Sequence, residues 1–118
     1  MGVVPGRSTR SLAVMSTLTR LEAWYLRQCN EDWEHTYGVT VGTLDNPGWA
    51  LDVDLIDTSL ESVPYVPVAE NVGPDSDPEG NDWISCRVES GKWLGRGGPL
   101  KLERLVEEFV SWAERHDS

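Results

Sequence analysis

Two runs of alternating side chains, residues 37–44 and 49–56, flank the tetrapeptide Asp45-Asn46-Pro47-Gly48. The first run sets Tyr37, Val39 and Val41 against Gly38, Thr40 and Gly42. The second sets Trp49, Leu51, Val53 and Leu55 against Ala50, Asp52 and Asp54. Period-two alternation predicts strands with one buried and one wet face. The tetrapeptide has turn chemistry: Pro presets φ, Gly accepts positive φ, and Asp and Asn bond to nearby backbone. The pattern therefore predicts an antiparallel hairpin, with Asp52 and Asp54 projecting together from its wet face. A lone hairpin is marginal in water, so the rest of the chain must cover the apolar face.

The flanking segments supply that cover. Residues 16–32 read as a helix, with Ser16 or Thr17 as N-cap, Thr19-x-x-Glu22 as a second capping-box candidate, and Leu18, Leu21, Tyr25 and Cys29, with Trp24 beside them, as a core stripe. Pro64 and Pro67 make residues 63–72 an edge strand or an extended loop. Residues 73–82 are a polar loop. Trp83 to Glu89 returns to strand pattern, with Ile84, Cys86 and Val88 on one side and Trp83, Ser85 and Arg87 on the other. Ser90-Gly91 then turns into a short strand near Lys92 to Leu94. Pro99 suits a first helical position, and Leu102, Leu105, Val106, Phe109, Val110, Trp112 and Ala113 form a wide apolar stripe. The predicted class is α+β: an antiparallel sheet of four or five strands with an N-terminal and a C-terminal helix, most simply both on one face. Residues 1–15 read as a flexible tail and residues 16–116 as a single domain. Met15 is an alternative start.

The charge distribution bears on partners. Net charge is −10, and from residue 28 to residue 86 there are thirteen Asp or Glu and no Lys or Arg. Such a field repels nucleic acid and anionic membranes and favours a basic partner, although many acidic proteins are acidic only for solubility. No run approaches the 18 or so apolar residues of a membrane span, and Leu12 to Met15 is too short for a secretory signal. Two cysteines, Cys29 and Cys86, are too few for a secreted disulfide scaffold and read as reduced thiols of a cytoplasmic protein.

Catalytic and ligand motifs fail on inspection. Asp75-x-Asp77-x-Glu79-Gly80 imitates a calcium loop, but its twelfth position is Cys86 where a bidentate Glu is required. Gly95-x-Gly97-Gly98-Pro99 before a helix lacks both the Walker spacing and the dinucleotide fingerprint, and turn geometry accounts for it. His35 and His116 with two cysteines form no zinc pattern. Cys86 reads as a packing residue with no activating base, and no nucleophile signature appears. No catalysis, cofactor or metal is expected.

Several short motifs occur in a telling order. Trp24-Tyr25-Leu26-x-Gln28-Cys29 runs into Asp32-Trp33-Glu34-His35 and Tyr37-Gly38, then Thr43-Leu44-Asp45-Asn46-Pro47-Gly48-Trp49. Asp82-Trp83-Ile84-x-Cys86-x-Val88, Gly95-x-Gly97-Gly98-Pro99 and the last helix follow. This series resembles the immunity protein 53 family of bacterial polymorphic toxin systems, over about residues 18–113. The resemblance implies a cytoplasmic antitoxin that binds and blocks a cognate toxin, with no catalysis. The charge pattern adds a candidate surface: Asp52, Asp54, Asp57 and Glu61, joined by Asp32 and Glu34, presented to a basic toxin cleft, with Trp83 as an aromatic anchor. The alternatives are a general acidic interaction or regulatory module, and a small hydrolase with a carboxylate pair, which requires a deep pocket and carboxyls of raised pKa.

Overall fold

The computed structural model describes residues 15–73 and 80–116. The expected N-terminal tail, apart from Met15, and part of the polar loop, including Asp75, Asp77 and Glu79, lie outside them. The elements are α1 (Thr17–Gln28), α2 (Trp33–Thr36), β1 (Val39–Leu44), β2 (Gly48–Asp54), β3 (Val68–Glu70), β4 (Ile84–Glu89), β5 (Lys92–Gly97) and α3 (Leu102–His116). The strands form one antiparallel sheet in the order β1-β2-β5-β4-β3. The expected α+β class, the hairpin and both helices are present. The β4–β5 turn falls on Ser90 (φ 54°) and Gly91 (φ 77°), as a tight hairpin requires.

The sheet packs its apolar face on α3. Leu51, Val53, Ile84, Cys86 and Trp93 from the strands meet Leu105, Val106, Phe109, Val110 and Trp112 from the helix, all buried. Four of the six tryptophans are buried there: Trp24, Trp33, Trp93 and Trp112. Edge-on ring contacts link Trp24 and Trp93 to Phe109 at 5.0 and 5.4 Å, and Tyr65 to Trp112 at 5.0 Å; this is the favoured geometry for such pairs. Three indole N–H groups also fasten loops. Trp33 Nε1 donates to Ile56 O, Trp49 Nε1 to Pro99 O and Trp112 Nε1 to Pro64 O.

α1 is seated mainly against α3. Ser16 caps it, its hydroxyl accepting from Thr19 N. Its buried residues are Leu21 and Trp24, whereas Leu18 is 58% and Tyr25 38% exposed. The expected core stripe is therefore corrected. A helix held against one neighbouring helix buries a narrow strip, and the Leu18–Tyr25 side faces outward. Arg20 strengthens the join, donating to Glu114 (3.0 and 2.7 Å) and Glu107 (2.8 Å) of α3.

The glycines after Trp93 serve packing rather than a turn. β5 runs on to Gly97, past the expected end at Leu94. A Cβ on Gly95 would lie 2.6 Å from the Trp93 ring, and one on Gly97 2.9 Å from Lys101 Cβ. Smooth backbone here gives the indole its slot and lets α3 begin close to the sheet. Cys86 is the packing thiol its parity indicates, buried, with burial pushing its pKa up to about 12.

Ion pairs join the elements, and two of their carboxyls bear on how the fold responds to acid. Arg104, linked to Glu70 across from β3, holds that carboxyl below its usual range. The Ser111 hydroxyl, then Arg20, do the same for Glu107. Carboxyls lowered in the folded state contribute stability above their unfolded pKa and lose it as pH falls through the folded values. The melting temperature is expected to be flat from about pH 8 to about pH 5.5 and to decline below about pH 4.5. A scan showing loss of stability already between about pH 7 and 6 would contradict this.

Candidate interaction surface

Four of the six acids singled out by sequence, Asp32, Glu34, Asp57 and Glu61, come from two segments flanking the strands that the structure brings to one end of the sheet; Asp52 and Asp54 lie on β2 itself. The segment before α2 is built by side chains bonding to local backbone. Asn30 Oδ1 accepts from Asp32 N and Trp33 N, while the Glu34 oxygens accept from Asn30 N and Glu31 N. Backbone N–H donors, its own first, hold the Glu34 carboxyl below its usual range. The second loop follows β2 in successive tight turns, with Thr58 N bonded to Leu55 O and Glu61 N to Thr58 O. Glu61 Oε1 accepts from Asp57 N. Trp33 Nε1 to Ile56 O ties the two loops together. Asp32, Asp57 and Glu61 are exposed. Asp57 has φ 64°, in the left-handed region that Asp tolerates better than most residues.

Asp52 and Asp54 do share the face away from the helices, yet both are engaged. Asp54 Oδ1 accepts from Lys92 Nζ at 2.6 Å and its Oδ2 from Gly38 N at 3.0 Å, so one carboxylate fastens β1, β2 and β5. That hydrogen bond raises the Lys92 pKa. Asp52 Oδ1 accepts from Arg96 Nη1 at 2.6 Å. These two acids are locally neutralised within the sheet, and the outward negative charge of this end rests on the loop residues. Trp83 lies elsewhere. It precedes Ile84, which pairs with Gly97, whereas the acid end is marked by Glu89 paired with Lys92. The half-buried Trp83 therefore stands at the opposite end of the sheet, its carbonyl accepting from Gly98 N.

A second feature was not singled out from sequence. An open crevice of about 430 Å³ runs between α1 and β1, lined by Leu21, Glu22, Tyr25, Tyr37, Gly38 and Val39. Beside it Val41 is 47% exposed. The signal available was the exposed half of the α1 stripe, which sequence assigned to the core. Among the described residues no group of three or more His, Cys, Asp or Glu is arranged to hold a metal, and no helix is long and apolar enough to cross a membrane.

The family model described as immunity protein 53 matches residues 18–114. The chain belongs to the immunity protein 53 family. The immunity protein 53 match takes in every described strand, nearly all of both long helices, the two acidic loops and the α1–β1 crevice. No curated protein and no solved structure matches the chain.

Proposed function

We propose that this immunity protein binds a cognate bacterial toxin one to one and blocks it in the cytoplasm, presenting its acidic end to a basic toxin surface. The observation that carries this reading is the family match across nearly the whole described chain. The charge arrangement supports the electrostatic part. Arg20, Arg87, Lys92, Arg96, Lys101 and Arg104 are each paired with an acid of the chain itself. Asp32, Asp57 and Glu61 are exposed at one end, with Glu34 half-buried among them. Complementary charge of this kind steers encounter and speeds association. Trp83, remote from this end, drops out of the surface. The hydrolase alternative gains no support: among the described residues the carboxyls with displaced proton affinity, Glu34, Glu70 and Glu107, are all held low, opposite to a general acid.

The test is co-expression with the toxin domain encoded beside the gene, scored by growth, followed by association kinetics with the purified toxin. Asp32→Lys with Asp57→Lys is expected to slow association roughly tenfold at low salt while lowering the melting temperature by only about 5 °C, the cost of a Lys at the left-handed Asp57 position. Reversal at Asp52 and Asp54 is a poor probe, because it strands Lys92 and Arg96 and loosens the sheet. Failure of the unmodified protein to rescue growth would remove the immunity reading. Rescue and kinetics unaffected by the double reversal would remove the acidic surface only.

A further inference from the structure

The two edges of the sheet are unlike. β3 is three residues long, follows Pro64 and Pro67, and carries Glu70 tied to Arg104. Short length, proline and charge are the usual devices that keep an edge from pairing with another chain. β1 has none of them. It is six residues long, Val39-Thr40-Val41-Gly42-Thr43-Leu44, without a charge, a proline or a break in its register with β2. Asp54 N bonds to Gly38 O, which fixes the ladder's alternation: even-numbered residues of β1 turn their backbone groups to β2. The N–H and C=O groups of Val39, Val41 and Thr43 consequently point away from the sheet. The side chains of those residues lie on the helix side, where the crevice lined by Tyr25 and Tyr37 adjoins them.

We infer that β1 is a docking edge for an extended segment of the toxin, which adds to the sheet as a sixth strand and is flanked by basic residues. This rests on the proposed immunity function and names where the contact is made. Backbone bonds to Val39, Val41 and Thr43 supply affinity, and the crevice receives an apolar side chain of the added strand, as in strand-addition complexes. Charge selects the occupant. β1 lies inside the stretch from residue 28 to residue 86 that has no Lys or Arg. Glu22 lines the crevice and Asp45 follows the strand. The nearest sheet cations, Lys92 and Arg96, sit beyond β2 and are bound to Asp54 and Asp52. A second copy, with net charge −10 and the same anionic edge, is repelled where a basic segment is attracted.

The experiment uses the full chain and the toxin domain encoded beside its gene. Amide hydrogen exchange is followed at Val39, Val41 and Thr43 by NMR, free and in complex. The three amides are expected to exchange freely in the isolated protein and to be slowed roughly a hundredfold in the complex, as amides joining a ladder are. Val41→Pro removes an outward N–H that β2 does not use. It is expected to weaken toxin binding at least tenfold, about the worth of one lost backbone bond plus misfit. If the wild type binds the toxin while these amides stay fast, the docking edge is wrong and the immunity function stands. Amides already protected in a free chain of doubled mass would assign the edge to a second copy and overturn the inference. A wild type that binds no toxin removes both readings.

Discussion

Trp93→Ala is expected to remove about 4 kcal/mol of stability, lowering the melting temperature by roughly 20 °C. Trp93 is fully buried at the centre of the sheet, on its middle strand β5. Its ring meets Phe109 at 5.4 Å and Tyr65 at 6.1 Å and lies over Gly95. Truncation opens a cavity that cannot collapse, because β2 and β4 hold β5 on both sides and α3 covers it. A domain of this size has about 5–15 kcal/mol in total, so one side chain decides a large share. Trp93→Phe is expected to cost far less, about 1–2 kcal/mol. The indole N–H it deletes is buried with no hydrogen-bond partner among the described residues, and an unsatisfied buried donor costs about 1–3 kcal/mol. Thermal and urea unfolding followed by circular dichroism measure both. A loss below about 1 kcal/mol for the alanine variant would mean that the sheet–helix core is not built around this residue.

The second large effect belongs to a residue without a side chain. Gly48→Ala is expected to cost about 2–3 kcal/mol. A Cβ at Gly48 would overlap the Gly97 carbonyl oxygen, a backbone atom of the neighbouring strand. Neither strand has room to retreat: β2 is paired on its far side with β1, and β5 with β4. The alanine must pry apart the end of the β2–β5 ladder, where Trp49 pairs with Gly97. Gly42→Ala in the same hairpin is the control. Nothing lies within 4 Å of a Cβ there, and the loss of chain freedom in the unfolded state makes it neutral or stabilising by up to about 0.5 kcal/mol. Equal melting temperatures for the two variants would refute the close-approach account.

Those two glycines show where sequence is legible and where it is not. Turn composition places the hairpin within one or two residues and assigns the turn glycine a positive φ. The structure does not use Gly48 that way: among the described glycines only Gly73 and Gly91 have positive φ. Its necessity comes from β5, nearly fifty residues later, which no local pattern reveals. Asp52 and Asp54 repeat the lesson. Alternation put them on one face, but their cations, Arg96 and Lys92, lie on a strand whose neighbour is set by topology. For α1, periodicity marked an apolar stripe correctly, and packing buried only the Leu21–Trp24 side of it. Charge placed most of the candidate acids near one another. It missed the edge strand, because an edge is a property of the sheet and not of the residues in it.

The strand order β1-β2-β5-β4-β3 carries a consequence for how the protein comes into being. The central strand is the last to be synthesised, and the helix that covers the sheet follows it. Until residue 97 has emerged, the β1–β2 hairpin and the β3–β4 region have nothing to join them, and a hairpin alone is marginal in water. Pairings this distant in sequence form slowly, because loop closure must precede their reward. At about 5–20 residues per second, the nascent chain spends most of its synthesis without a sheet. The protein acquires a surface on which a partner can register only when β5 and α3 arrive, so the sheet is expected to form in one step after them rather than by gradual accretion from β1 onward.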